Sequence, residues 1–470
     1  MTLVLIIDVL AIGLLFATTL TKGFERTLPV AAFLMMLFPM ESQIPLPGLF
    51  DLTTQRLIVI ALIVLYIFFG GAPGKIGQNK KLPLKLLVLA LMAWMLLSAA
   101  NSVVLSVSLK STLSQFLDFF VTYYIFVKTV SKAETISRIL LAFVAAMFIC
   151  SIFGAVEAYR GWSVISLFPR HFHRFAYLAG EMDRGVRTQS TFGHPILFGA
   201  TLAMAIPMAL FLVTMAKTTA RKAFLWSAIL LMFLNIYKTS SRGPWLALIF
   251  SLVLLFLLDK NQMRRYLTVI TLLMITILVV RPGIWGTIRN LYMVTLDPDT
   301  AQGESYQWRY ALYHITFLHL NGDFGRAMWG YGPESFFFLG WEGDFQGQTV
   351  KYESCDSSVA ALMAETGYVG FAIVAVLLLK VAFVTFRGFR RMPSPANSLC
   401  LVLFVNICAF CFMMTNVAIL GWGQQNYLLW ILIAIAVVYP TLALPETISP
   451  ETRLSSDVLF SQRRAEVFRS

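Results

Sequence analysis

Residues 191–216 decide the fold, because the segment TFGHPILFGATLAMAIPMALFLVTMA contains no lysine, arginine, aspartate or glutamate. An apolar run of about 18 residues or more is long enough to cross the hydrocarbon core of a bilayer as a helix. Comparable runs recur along the 470-residue chain, in which 58% of the residues are hydrophobic and only 13% are charged. A soluble protein of this size would need more polar surface. The sequence therefore predicts an all-α polytopic membrane protein.

Thirteen candidate transmembrane helices can be placed along the chain, and a total of twelve is also open because the second candidate is short. The first run is interpreted as a span and not as a cleaved signal peptide, since it lacks a basic amino-terminal region and a small-residue cleavage site. The predicted spans are 3–20, 27–41, 56–72, 84–103, 113–130, 138–157, 191–216, 222–238, 243–259, 265–281, 357–384, 397–419 and 424–443.

Lysine and arginine are concentrated in the short connections that follow every second span, such as Lys217, Arg221 and Lys222 after the seventh. The positive-inside rule assigns these connections to the cytoplasm, so the two longest loops lie on the outer side. This distribution accounts for the net charge of +13 without a nucleic-acid partner. The predicted organisation is N-terminal helices 1–157, an outer loop 158–190, central helices 191–281, a large outer loop 282–356, C-terminal helices 357–444 and a cytoplasmic tail 445–470.

Three arginines occur on the predicted outer side at span ends or within loop motifs, namely Arg187, Arg242 and Arg309. Guanidinium groups bind phosphate and pyrophosphate oxygens with two parallel hydrogen bonds. The sequence thus suggests an anion site at the outer membrane face. Ordinary surface arginines remain the alternative, since long loops are translocated whatever their charge.

Two predicted spans begin with the same sequence pattern, in which polar residues are followed by glycine, proline and an apolar helix. In the first, His194 stands before the helix, and in the second the turn KTSSRGPW begins with Lys238. Helix N-termini attract anions, so both residues are candidates for phosphate binding. For His194, a capping or packing role is an equal alternative.

Aromatic residues are frequent in the second outer loop, with Tyr306 and Trp308 next to Arg309. Aromatic faces stack on sugar rings, which suggests a glycan-binding platform. An amphipathic helix lying on the membrane interface, where Trp and Tyr accumulate, explains the same composition.

Four motifs occur in order: RTQSTFGHPILFGATLA, TSSRGPWLAL, WRYALYHITFLHL followed by WGYGPESF, and CDSSVAALMAETGYVGF. Together they resemble the bacterial O-antigen ligase and O-antigen polymerase family over about residues 184–384. The resemblance implies a GT-C-like glycosyltransferase of the bacterial inner membrane with its active site on the periplasmic face. Its donor would be an oligosaccharide on undecaprenyl pyrophosphate and its acceptor a glycan. By similarity, the family's essential arginines fall on Arg187, Arg242 and Arg309.

The chain departs from the family at the last motif, where Asp356 occupies the position of the usual histidine. Ser357 fits the small polar residue that follows in the family, and the resemblance makes it a candidate for substrate binding. An aspartate can act as a general base toward a hydroxyl, so the chemistry survives the exchange. The alternative role for Asp356 is a helix N-cap. The exchange favours a repeat-unit polymerase over the lipid A-core ligase.

The predicted function is metal-independent, inverting polymerisation of lipid-linked repeat units, without a cofactor. The outer loops offer no carboxylate cluster suited to a divalent cation, and the DPD sequence at 297–299 is interpreted as a turn. The remaining alternatives are an O-antigen ligase and a lipid-linked oligosaccharide flippase. The predicted partners are the lipid-linked donor, a glycan acceptor, membrane lipids and other components of polysaccharide export.

Overall fold

A computed structural model of the chain describes residues 2–46, 50–70, 82–168, 187–259, 300–421 and 423–443, together with parts of 263–297. These residues are mainly helical. Seven helices are long and apolar enough to cross a membrane, and three shorter apolar helices accompany them. The predicted all-α polytopic membrane fold is confirmed.

The described helices are, in chain order, α1 (Thr2–Lys22), α2 (Thr27–Leu37), α3 (Thr54–Leu65), α4 (Lys85–Ala100), α5 (Leu105–Gln115), α6 (Val121–Thr129), α7 (Ala133–Arg160), α8 (Pro195–Met215), α9 (Thr219–Lys238), α10 (Arg242–Leu258), α11 (Ala301–Asn321), α12 (Phe324–Trp329), α13 (Ser358–Arg391), α14 (Ala396–Met414) and α15 (Gln424–Ala443). A π-helical turn, Tyr66–Gly70, prolongs α3, and another, Phe116–Phe120, joins α5 to α6. Two short antiparallel hairpins pair β1 (Gln43–Ile44) with β2 (Leu52–Thr53) and β3 (Glu342–Phe345) with β4 (Gln348–Lys351).

The large predicted outer loop, 282–356, contains regular structure that the hydropathy pattern did not indicate. Its described part holds the 21-residue helix α11, the short helix α12 and the β3–β4 hairpin. Most of the predicted span 265–281 and the predicted tail 445–470 lie outside the described residues. The total of twelve or thirteen spans and the domain boundaries therefore stay predictions.

Helix α8 lies at the centre of the bundle, where it packs against α7, α9, α10 and α14. Every residue from Leu197 to Val213 is buried. Small residues allow neighbouring backbones to approach closely in membrane helices. At Gly199, the Cβ of Pro244 lies 2.9 Å from the position that a Cβ on the glycine would occupy. The start of α10 is therefore held tightly against α8.

Two acidic residues within apolar helices find partners at the start of α3. An unpaired charge there would cost about 2.5–3.5 kcal/mol on insertion scales. The hydroxyl of Thr54 donates to Asp8 Oδ1 at 2.7 Å, and Arg56 Nε lies 2.9 Å from Asp118 Oδ2. These contacts join α1, α3 and the π-helical turn before α6, so Asp8 and Asp118 have structural partners.

Helix α13 is broken near its N-terminal end at Gly367, whose backbone is non-helical with φ 69° and ψ −178°. Residues 300–357, which precede α13, are here called the outer region. Carbonyl groups beside the break accept hydrogen bonds from it. The N–H of Tyr331 donates to the carbonyl of Ala364 at 2.9 Å, and the N–H of Gly332 donates to that of Glu365 at 2.8 Å. The segment between α12 and the β3–β4 hairpin is thereby attached to the membrane bundle.

Helix α4 binds the other side of the same break. Ser98 Oγ donates to the carbonyl of Glu365 at 2.7 Å, and Trp94 Nε1 donates to that of Thr366 at 2.8 Å. The Trp94 ring also stacks on Trp329 of α12, with 4.5 Å between centroids. The break, α4 and α12 therefore form one packed unit.

Gly367→Ala should destabilise the protein, because φ and ψ at this position are accessible mainly to glycine and the added Cβ would overlap the carbonyl of Met328. Backbone strain together with overpacking is expected to cost about 2–5 kcal/mol. The check is the thermal unfolding temperature of the purified protein in detergent. Gly13→Ala is the control, since nothing lies within 4 Å of the added Cβ. Equal unfolding temperatures for the two variants would contradict this account.

Candidate functional site

Three connections meet at the end of the bundle opposite the basic turn between α8 and α9. They are the turn 239–241 between α9 and α10, residues 352–357 before α13, and the segment Thr415–Gly421 between α14 and α15, here called the 415–421 loop. Helices α10 and α13 both begin here, so both present their positive dipole ends. This end of the bundle therefore suits an anion.

Arg187 is fixed against the turn that precedes α10. Its Nε donates to the carbonyl of Thr239 at 3.0 Å and its Nη2 donates to Ser241 Oγ at 2.8 Å. Arg242 is the first residue of α10 and follows Ser241 directly. The structure thus brings two of the three predicted arginines to one helix N-terminus.

Glu157, at the C-terminal end of α7, orders the segment that carries Arg187. Its Oε2 accepts from the backbone N–H groups of Gln189 and Ser190, each at 2.8 Å. The sequence does not indicate this role, because an acid in the last turn of an apolar helix gives no sign of a partner about 30 residues away. Glu157 acts on the site by positioning Arg187.

His194 is the N-cap of α8, and its Nδ1 accepts from the N–H of Ile196 at 3.1 Å. The positive charge of Arg187 is close enough to act on the imidazole. The capping role considered for His194 is therefore present. Phosphate binding by His194 stays a prediction.

Glu41 also reaches this region, although the sequence analysis did not select it. Its carboxylate lies so close to Gly193 that a Cβ on the glycine would overlap Oε1. Glu41 lies four residues after the end of α2, and its only signal in the sequence is an acid at the end of an apolar run. A glycine before His194 is thus required by the approach of Glu41.

Lys238 is the last residue of α9. Its ammonium group lies 5.3 Å from the centroid of the Tyr159 ring, and its carbonyl accepts from the N–H of Thr188 at 3.1 Å. The residue is therefore adjacent to the segment that carries Arg187, and its side chain makes a cation–π contact. Substrate binding by Lys238 stays a prediction.

Ser357, not Asp356, is the N-cap of α13. Its Oγ accepts from the N–H of Ala360 at 3.3 Å, and the side chain is fully buried. Asp356 is partly exposed and makes no hydrogen bond or ion pair within the described part of the chain. The helix-cap alternative for Asp356 is therefore wrong, and its carboxylate is available for another role.

Tyr313 joins α11 to the start of α13. Its hydroxyl lies 2.7 Å from Ser357 Oγ and 2.7 Å from the carbonyl of Thr415. Burial raises the pKa of the Tyr313 phenol, so the group remains a proton donor at neutral pH. Arg309 precedes Tyr313 by one helical turn and shares its helix face. The helix turn that follows Arg309 therefore contacts Ser357 and Thr415 through Tyr313. A place for Arg309 in the site stays a prediction.

Cys355 precedes Asp356 and packs at the edge of a small hydrophobic core that includes Tyr352 and Ala364. Its thiol donates to the carbonyl of Ser357 at 3.3 Å. Burial raises the pKa of this thiol to about 12. Cys355 is therefore protonated at neutral pH and is not suited to act as a nucleophile.

The 415–421 loop connects the two groups of residues. Asn416 Oδ1 lies 2.7 Å from the position of a Cβ on Gly243, and the N–H of Ser358 donates to the carbonyl of Val417 at 3.1 Å. Contacts therefore run from the start of α10, through this loop, to the start of α13. Arg242 lies at the first of these helix starts and Asp356 lies directly before the N-cap of the second, while Arg187 contacts the turn before the first.

Most aromatic residues of the outer region pack against one another. Trp308 lies against Phe345 and Tyr352, with ring centroids 5.1 Å and 4.7 Å away. Tyr306, in contrast, is 58% exposed. The outer region thus has a small core of its own, which neither sequence interpretation of the aromatics included. The buried residues of this core are Leu312, Ile315, Phe336, Trp341, Tyr352 and Ala364.

A groove lies between α4, α13, α15 and the π-helical turn Phe116–Phe120. Its lining residues on α13 extend from Ser358 to Leu378, on both sides of the break at Gly367. The apolar part of the groove therefore offers a surface for an apolar chain. Its lining is mostly apolar and includes Leu91, Phe119, Leu378, Trp430 and Ile433.

The polar end of the groove is formed by Ser358, Glu365 and Asn426. Ser358 is two residues from Asp356, so the groove ends next to the predicted site. The Glu365 carboxylate accepts from the backbone N–H groups of Glu334 and Phe336, which fixes its position. Among the described residues, no group of three or more His, Cys, Asp or Glu side chains is arranged to hold a metal ion. Metal independence stays a prediction.

Residues 227–375 match the family model described as O-antigen ligase. The matched segment covers about a third of the chain. This match supports assignment to the O-antigen ligase and polymerase family, as the sequence motifs predicted. The matched segment contains Arg242, Arg309, Asp356 and the helix break at Gly367, whereas Arg187 lies before this segment. Among curated proteins, none matches the chain.

Proposed function

We propose that this protein polymerises oligosaccharide repeat units carried on undecaprenyl pyrophosphate, at the periplasmic face of the bacterial inner membrane. The observation that carries the proposal is the meeting of two helix starts at the 415–421 loop, with Arg187 and Arg242 at the start of α10 and Asp356 directly before α13. A mostly apolar groove reaches the second helix start at Ser358. Guanidinium groups suit a diphosphate, and the groove suits a polyprenyl tail. Chemically, the arrangement combines an anion site with a free carboxylate.

The reaction follows from these roles. Asp356 removes the proton from an acceptor hydroxyl while that oxygen attacks the anomeric carbon of the donor sugar. The bond between this carbon and the pyrophosphate oxygen breaks, and undecaprenyl pyrophosphate leaves with the electron pair. Attack opposite to the leaving group inverts the anomeric configuration. The arginines stabilise the negative charge that develops on the pyrophosphate, a role that needs no metal ion.

A ligase is the second candidate, because the matching family model is described as O-antigen ligase. A ligase would use the same donor and the same charge arrangement but transfer the glycan to an acceptor such as lipid A-core. The aspartate at position 356, where the family usually has histidine, is the reason to prefer the polymerase. Deletion of the gene distinguishes the two, since single repeat units indicate a lost polymerase and full-length chains stranded on the carrier indicate a lost ligase.

The transferase reaction can be tested with the purified protein in liposomes and lipid-linked repeat units extracted from the producing cells. Release of undecaprenyl pyrophosphate together with longer glycans is expected. Movement of intact donor across the bilayer without bond cleavage would instead identify a flippase and overturn the proposal.

Arg242→Ala should lower turnover in this assay by about 100- to 1,000-fold, the usual loss when one preorganised donor to a developing anion is removed. Arg138→Ala is the matched control, because Arg138 is paired with Glu134 on the exposed face at the start of α7, at the opposite end of the bundle. Turnover of the Arg242 variant at the level of the control would exclude a role in leaving-group stabilisation.

Asp356→Asn should lower turnover by about 100-fold or more, since the amide cannot accept the proton, while Ser357 still caps α13. Asp356→His should retain activity but lose it as the pH falls through about 6.5, because a protonated imidazole is no base. Initial rates across this pH range provide the measurement. Glu353→Gln, at an exposed carboxylate three residues away, is the control; if it is the inactive variant, Asp356 is not the base.

Leu378→Trp should weaken binding of the lipid-linked donor by about tenfold, equivalent to about 1.4 kcal/mol, because the larger side chain occupies the groove. Its neighbour Leu379 is 68% exposed on the outside of the bundle, whereas Leu378 is 4% exposed. Leu379→Trp is therefore the matched control. The measurement is the KM for the donor in liposomes, and an unchanged KM in the Leu378 variant would place the polyprenyl tail elsewhere.

A further inference from the structure

Three tyrosines form a row on one face of α11. Tyr306, Tyr310 and Tyr313 are spaced four and three residues apart, which places them above one another on an α-helix. Tyr306 is 58% exposed and Tyr310 is 74% exposed. The row is about 10 Å long and is here called the tyrosine row. Rings of this size are usually buried or engaged, so a row of exposed ones needs an explanation.

The inner end of the row is part of the candidate site. The Tyr313 hydroxyl contacts Ser357 Oγ and the carbonyl of Thr415, each at 2.7 Å, and Ser357 adjoins Asp356. Phe317 lies behind Tyr313 with nearly parallel rings and 6.5 Å between centroids. The row therefore starts beside Ser357, the neighbour of Asp356 in the chain, and extends along α11 through Tyr310 to Tyr306.

The outer end of the row stands beside a hydrophilic hairpin. The Gln346 side chain, at the β3–β4 turn, donates to Gln307 Oε1 at 3.2 Å, and Trp308 packs on Phe345 of the same hairpin. The exposed side chains of the hairpin are polar or charged, including Glu342 and Lys351. A membrane-inserted surface would not carry these groups, so this part of α11 faces water.

A water-exposed row of tyrosines fits the chemistry of a sugar chain. Aromatic faces pack against the C–H faces of sugar rings, and phenolic hydroxyls exchange hydrogen bonds with sugar hydroxyls. We propose that the tyrosine row binds the oligosaccharide part of a bound substrate and guides it between Asp356 and the periplasm. This inference rests on the proposed function, and it assigns the glycan to Tyr310 and Tyr306 and not to Trp308, whose ring is used in packing.

Direct binding separates this inference from catalysis. The probe is a size-fractionated ladder of lipid-free oligosaccharides, released by mild acid from the carrier lipid of the producing cells. Binding to the Asp356→Asn protein in nanodiscs is followed by saturation-transfer NMR. Oligosaccharides of two or more repeats should bind, and the double substitution Tyr306→Ser with Tyr310→Ser should weaken that binding by about tenfold, as expected for two ring contacts.

Phe337→Ser with Phe338→Ser is the matched control, because these rings are 45% and 49% exposed in the same outer region but lie off α11. The control should bind the ladder like the parent. In the transferase assay, the tyrosine variant with Asp356 intact should still release undecaprenyl pyrophosphate but make shorter products.

Undiminished binding by the tyrosine variant, with transferase activity present, would overturn the inference and leave the proposed function standing. Failure of the parent to bind the ladder, with Tyr306 and Tyr310 resonances broadened by spin-labelled lipid, would show that the row lies on the membrane and would also overturn it. Failure of wild-type protein to release undecaprenyl pyrophosphate would instead count against the proposed function.

Discussion

In a bilayer, every backbone carbonyl needs a donor, and a broken helix must find donors outside itself. At the Gly367 break of α13, the outer region and α4 supply them through the backbone of Tyr331 and Gly332 and the side chains of Ser98 and Trp94. The same hydrogen bonds attach the outer region to the bundle. Together with the contact between Tyr313 and Ser357, these bonds set the position of α11 relative to α13.

Beyond the break, small polar groups set the geometry of the site. Ser358 Oγ donates to the carbonyl of Val417 at 3.0 Å and accepts from the N–H groups of Ile419 and Leu420 at 2.7 Å and 2.9 Å. One hydroxyl thus shapes most of the 415–421 loop. A buried network of this kind is stiff when its members are satisfied. Charged groups held in advance around such a loop need little reorganisation when charge develops on a substrate.

Hydropathy predicted the membrane fold well, because crossing a bilayer is a requirement on length and polarity that a single segment reveals. It also located the starts of α8 and α10, where glycine and proline precede an apolar run. It did not indicate α11, whose mixed composition reads as a loop. Nor did it indicate the break at Gly367, because a glycine within an apolar run shows no change in hydropathy.

The candidate residues were predictable only as types, and their partners were not. Arg187, Arg242 and Asp356 could be selected because charges are unusual at outer span ends. Glu157, which orders the segment of Arg187, could not be paired with it, since the contact depends on how α7 packs beside the loop. The assignment of the N-cap to Ser357 depended on a difference of one residue in the helix start, which sequence patterns do not resolve.

The π-helical turn Phe116–Phe120 ties the groove to the β1–β2 hairpin. Its Phe119 lines the groove, while Asp118 pairs with Arg56 just after β2. A π-turn holds one residue more than an α-turn, and such turns are frequent at functional sites. Loss of a single residue here would return the segment to regular α-helix with both flanks in register, yet it would withdraw Asp118 from Arg56. Relatives that differ by one residue in this turn would therefore be expected to differ in the width of the groove while keeping the same bundle.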